Sequence, residues 1–153
     1  MLVETNFFNH KFSNNHVAAF ENIIQAKQKN AQEFSDKLSL LSSSNSIKDY
    51  RDFYKKNSRL LTNQKISFYV LKNNQLIYWT DNSISFPKDS VAKLDKDVAF
   101  IDNSWFLVQK NVKDSVKVYV LTFLKSYYPF VNEYVTNEFH SDFNLNSNIE
   151  ISN

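Results

Sequence analysis

Three histidines, His10, His16 and His140, are the chain's only imidazoles, and they lie far apart. His140-x-Asp142 offers two ligand atoms, whereas a metal site draws three or four from converging elements. The pair reads as a solvated terminal histidine next to an aspartate. Acid–base catalysis needs paired carboxylates in one cleft, and Glu133 and Glu138 fall on different faces of the helix expected around them. Cysteine is absent, which removes thiolate nucleophiles, disulfides and cysteine metal sites. Glycine is absent too, so neither a phosphate-cradling loop nor a serine-hydrolase elbow can be written. No catalytic residue, metal or cofactor is expected.

What remains is binding chemistry. Trp79, Asp81 and Asn82 adjoin at a strand end. There the indole is expected to be largely buried while the two short polar side chains cap the following turn, or all three can touch a ligand. Tyr69, Tyr119, Tyr127, Tyr128 and Tyr134 are able to line a cavity with hydroxyls at its rim, or to form a wet-edged core. Asn132, between Tyr128 and Tyr134, needs a partner if buried.

The chain has 153 residues, 42% hydrophobic and 16% aromatic, enough for one domain with a real core. Its formal charge of +2 is spread without a basic stripe, so a nucleic-acid partner is not expected. No apolar run is long enough to span a bilayer. No signal peptide is read either, since Met1 leads at once into Glu4, Thr5 and Asn6. The expectation is a soluble domain excised from a protein whose membrane anchors lie outside this chain. With 20 asparagines and no glycine, asparagine must occupy the turn positions that need positive φ.

Residues 14–42 read as one long helix of roughly 43 Å, with Ser13 or Asn14 as its cap and residues 42–45 as its end. Val17, Ile24, Ala31 and Leu38 recur every seven positions, and Phe20, Lys27, Phe34 and Leu41 follow three later. Only Lys27 interrupts the apolar seam. The stripe packs either on the chain's own sheet or on a partner helix. The overhanging N-terminal half favours self-association as a stalk, through Val17, Phe20, Ile24 and Phe34. Ser46 to Asp49 resembles a capping box for a short helix with Tyr50, Phe53 and Tyr54, fading near Asn57. The period then falls to 2: residues 66–71 and 76–80 form a hairpin turning at Asn73-Asn74. A connector over 81–97 contains Pro87 and one helical turn at 90–94. Strands at 98–101 and 105–110 turn at Asp102-Asn103-Ser104, and a last strand alternates from Val116. Pro129 opens a C-terminal helix over 130–139, followed by a polar tail.

This order gives an α+β fold, a long N-terminal helix on a five-stranded antiparallel PAS-like sheet with a short C-terminal helix. Residues 1–45 are the stalk helix and 46–153 the PAS-like domain, one structural unit with that helix.

Two segments carry a family resemblance. Phe68 to Asn82, ending in Tyr78-Trp79-Thr80-Asp81-Asn82, resembles a recurring segment in the extracytoplasmic domains of Bacteroidetes-type sensor histidine kinases, where Ser is usual at the position of Thr80. Leu124 to Phe139 is similar to that family's Lys-x-x-Tyr, Asn-x-Tyr and Asn-x-Phe sequence. Asn103-Ser104 stands where the pattern has Asn-Gly. The resemblance implies a periplasmic sensor domain held between two transmembrane helices. The resemblance supplies a role without a substrate; the residues read above as able to meet a small molecule are Tyr69, Trp79, Asp81, Asn82, Tyr119, Tyr128, Asn132 and Tyr134. The domain's output would pass through the terminal segments to a cytoplasmic kinase. A ligand-free dimerisation or protein-interaction module is the alternative.

Overall fold

The computed structural model describes residues 14–41, 46–84, 94–144 and 151. Helix α1 (Asn14–Leu40) and helix α2 (Ile47–Asn63) precede strands β1 (Ile66–Lys72), β2 (Gln75–Trp79), β3 (Val98–Ile101), β4 (Ser104–Lys113) and β5 (Val116–Ser126). The strands form one antiparallel sheet in the order β2-β1-β5-β4-β3. The fold is α+β, helices on a five-stranded sheet. Ser13, Pro87, the segment 42–45 and most of the expected helical turn at 90–94 lie outside the described residues.

Asparagine and aspartate replace glycine at the hairpins. Asn73 and Asn74 hold φ of 50° and 62°, and Asp102 and Asn103 hold 45° and 60°. Paired positive φ is what a two-residue turn between right-twisted strands demands. The second turn is therefore Asp102-Asn103, and Ser104 already pairs with Ser126 in the sheet.

The seam of α1 faces the chain's own sheet along its length. Ala31, Phe34 and Leu38 pack with Phe68, Val70, Val118 and Val120. One end of α1 adds Ile24 to a separate cluster with Leu107, Leu124 and Phe143, against which Phe20 also packs. Ile24 and Phe34 are thus committed to the domain core, and Val17 is partly buried. This differs from the free stalk face expected of Phe20, Ile24 and Phe34, because the sheet extends far enough to cover all three.

Helix α2 continues six residues past Asn57 to Asn63. The Asn57 side chain returns a hydrogen bond to the Phe53 carbonyl at 2.8 Å instead of breaking the helix, and Leu61 one turn later is buried in the core. The start of α2 has no side-chain cap from Ser46; the Asp49 amide instead bonds the Ser46 carbonyl at 3.1 Å. Phe53 stands edge-on to both Phe34 and Phe68, each with ring centroids 5.9 Å away.

The largest departure is residues 130–139, which form no helix. The chain leaves β5, makes an irregular excursion and returns antiparallel, with Phe139 bridging Lys125. Asparagine side chains capture the backbone groups a helix would have used, a competition expected of this residue type. Tyr128 N–H donates to Asn137 Oδ1 at 2.6 Å, and Asn132 Oδ1 accepts from the amides of Tyr134 and Val135 at 2.8 and 2.9 Å. A 3-10 turn, Ser141–Phe143, then carries Phe143 into the cluster at the N-terminal half of α1.

Candidate functional site

The Tyr-Trp-Thr-Asp-Asn segment builds a locked strand end. Thr80 closes β1 twice, its amide on the Phe68 carbonyl at 3.2 Å and its Oγ1 accepting the Phe68 amide at 2.9 Å. The Thr80 hydroxyl is therefore what closes this end of the strand pair. Asp81 Oδ1 accepts from the Ser83 amide at 2.7 Å and the Ser83 hydroxyl at 2.6 Å. Tyr78 stacks on Phe68 at 5.6 Å and on Tyr50 at 6.0 Å.

Trp79, expected to be largely buried, is 48% exposed. It lies on edge strand β2 opposite Tyr69, and its indole N–H donates to Asn82 Oδ1 at 2.6 Å. The edge of the sheet leaves one side of the ring without packing partners. Trp79→Ala is therefore expected to cost about 1 kcal/mol or less, the range of surface substitutions plus one exposed hydrogen bond. A urea melt checks it, and a loss of 3 kcal/mol would mean the ring is buried.

Beside this turn a cleft of about 430 Å³ opens between the start of β1, the loop 80–84, the Asp102 turn and the end of β5. Its walls include Lys65, Ser67, Asp81, Asp102, Phe123 and Tyr128. An adjoining cleft of about 310 Å³ shares Lys65, Ser104, Phe123 and Tyr128 and adds Tyr134 and Glu138. Lys65 Nζ sits over the Phe123 ring, 4.6 Å from its centroid, so the cation is placed by the cation–π attraction. The Tyr69 hydroxyl donates to the Asp81 carbonyl at 3.3 Å. Burial, then the nearby Asp81 and Asp102 carboxylates, push its pKa well above the usual phenol range. One wall thus carries a cation on an aromatic face, while two carboxylates converge near Tyr69.

The expected site residues separate. Asp81 and Tyr128 line the first cleft, and Tyr128 and Tyr134 the second. Tyr69 and Tyr119 line neither, being fully buried in a cluster with Leu71, Leu121, Ile84 and Leu94. Asn132 is exposed and serves as a turn former. Trp79 and Asn82 hold each other outside the cleft.

Sequence reasoning missed a third feature. His140 is not solvated but 3% exposed, and Lys27, the apparent break in the seam, is 2% exposed. Lys27 Nζ pairs with Asp142 Oδ2 at 2.8 Å, approaches Gln64 Oε1 and His140 Nδ1 at 3.5 Å each, and lies 5.6 Å from the Phe143 ring centroid. A lysine within an apolar stripe followed much later by His-x-Asp was the available signal. The Asp142 amide donates to His140 Nδ1 at 3.3 Å, so Nε2 carries the proton and donates to the Asn63 carbonyl at 3.2 Å. Among the described residues no group of three or more metal-ligating side chains occurs.

Burial and the Lys27 ammonium hold the His140 pKa below its ordinary value, and the Lys27 hydrogen bond holds Asp142 below the usual carboxylate range. The unfolded chain therefore takes up a proton at His140 near pH 6.5 that the folded chain resists. Stability is complete above that pH and falls as pH drops toward the lower folded value. Thermal melts should show a lower Tm at pH 5.5 than at 7.5, and His140→Gln should shrink that difference.

Comparison with protein-family descriptions, with curated proteins and with solved structures finds no match for this chain.

Proposed function

We propose that this chain is a PAS-like extracytoplasmic sensor domain of a membrane-bound histidine kinase, which relays a ligand-dependent state through its terminal segments. The observation that carries the reading is the apolar cluster at the N-terminal half of α1. Phe20 and Ile23 of α1 and Ile151 all pack against Ile24, Leu107, Leu124 and Phe143. The segments that enter and leave the domain therefore meet at one end, as two membrane anchors on one side require. The five antiparallel strands with a connector after the second support the PAS-like part of the reading. The Lys27–Asp142 pair adds a direct joint between those two segments. No described helix is long and apolar enough to cross a membrane, so the anchors in this reading belong to sequence outside these helices.

The first cleft, between Lys65, Asp81, Asp102 and Tyr128, is where a small ligand bearing both charges would enter. A ligand shifts the output only through different affinity for two arrangements of the domain. The filled layer around Tyr69 and Tyr119 favours the second reading, a ligand-free interaction module that works through the same ends.

Because the chain has no cysteine, spin labels at Ala19→Cys and Ser152→Cys (next to Ile151) test the shared end without background. The expected separation is about 25 Å or less in a domain roughly 40 Å across. A separation close to the full breadth would overturn the two-anchor reading.

A further inference from the structure

The excursion between β5 and Phe139 is a built loop with an apolar tip. Phe130 is 84% exposed, Tyr134 85% and Val131 59%, among the largest apolar exposures in the described residues. Its base is pinned by the two bonds between Asn137 and the Tyr128 backbone and by the Glu138 amide on Ser126 Oγ at 2.9 Å. Its tip is turned by Asn132, which accepts two amides and whose own amide bonds the Val135 carbonyl at 3.0 Å. A backbone fixed by this many side-chain bonds holds its rings outward, where water would otherwise favour folding them back.

The loop also has a definite place. It leaves the sheet beside the Asn103 turn, where the Tyr127 amide bonds the Asn103 carbonyl at 2.7 Å. It returns through Phe139, which packs on the same cluster as Phe20 and Ile151. From Ile24 at that cluster α1 climbs about 15 Å to Asn14. The four steps from Tyr127 to Val131 reach at most about 14 Å. Leu38 packs with Val118 and Val120 while Ile24 packs with Leu124, so α1 followed back to its start and β5 followed into the loop run toward the same end of the domain.

We propose that Phe130, Val131 and Tyr134 rest in the headgroup region of the bilayer, a lipid contact that rests on the membrane-anchored reading above. The Tyr134 ring, with one polar and one apolar end, is suited to that boundary, and Phe130 and Val131 supply apolar surface to its acyl side. A second copy of the chain fits less well, because two rings and a valine offer roughly 400–600 Å², below the roughly 800 Å² per partner of a standard interface. Glu133 at the tip gives no attraction to anionic lipid, so the contact should not depend on it.

The test places a single Cys at Phe130, labels it with an environment-sensitive fluorophore, and tethers the protein by an N-terminal histidine tag to phosphatidylcholine vesicles containing a nickel-chelating lipid. Val112→Cys serves as the control; it is 53% exposed on β4 beside the hairpin that joins β4 to β5 at Asp114-Ser115. The expected result is a blue shift and several-fold stronger quenching by spin-labelled lipid at 130 than at 112, unchanged when anionic lipid is added. Equal quenching at both positions overturns the proposal. So does a shift at 130 that grows with protein concentration without vesicles, which assigns the tip to a second copy. Failure here leaves the Ala19–Ser152 distance, and with it the sensor reading, untouched.

Discussion

Asp142→Asn should lower folding stability by about 3–5 kcal/mol, because it strands the Lys27 ammonium in the interior. Lys27 is 2% exposed while the Asp142 side chain is 38% exposed, so the two halves of the pair are not equivalent. Lys27→Met removes the buried charge, fills the seam of α1 with an apolar side chain of similar length, and leaves an aspartate that water can reach. Its cost is expected to be about 1 kcal/mol or less, and a gain is consistent with the same physics. Denaturant melts of both variants with unchanged m-values decide the matter. Equal costs would mean that the ammonium is hydrated in the native state.

Phe34→Ala carries the second large effect, a loss of about 3–5 kcal/mol. Phe34 is 5% exposed against Phe53, Phe68 and the valines of β5, so truncation leaves a cavity bounded by both helices and the sheet. A double-mutant cycle with Phe53→Ala should return a coupling of about 0.5–1.5 kcal/mol for the edge-on pair. Additive losses, or a loss below 1 kcal/mol, would mean that α1 is a detachable stalk.

The strands were legible because their period of 2 and their Asn-Asn and Asp-Asn punctuation are local signals. The seam of α1 was legible as a stripe, but not the surface that covers it, since that depends on the extent of the sheet. Trp79 was misjudged because residue types do not distinguish an edge strand from a central one; sheet order does, and it arises from pairing between distant segments. The region 130–139 imitated a helix in its spacing of aromatics after Pro129. What decided against it was side-chain capture of the backbone by Asn132 and Asn137, which helical periodicity does not register. Lys27 read as a defect for a related reason. Its partner lies 115 residues downstream, and only the fold brings the two together. The clefts drew Asp81, Tyr128 and Tyr134 from the expected set, but Lys65 and Asp102 entered through turn geometry at positive φ.

In the sensor proposed above, α1 and the segment after Phe139 form one joint through which the domain would set a distant output. The direct measurement replaces the sensory domain of a characterised membrane histidine kinase with residues 14–151 and compares kinase activity in membranes for the native chain and for Lys27→Met. Lys27→Met opens the joint without stranding a charge, so a several-fold change in output is expected at equal membrane abundance, the scale of a coupling of about 1–3 kcal/mol. Identical output from the two chimeras, both folded and inserted, would contradict it.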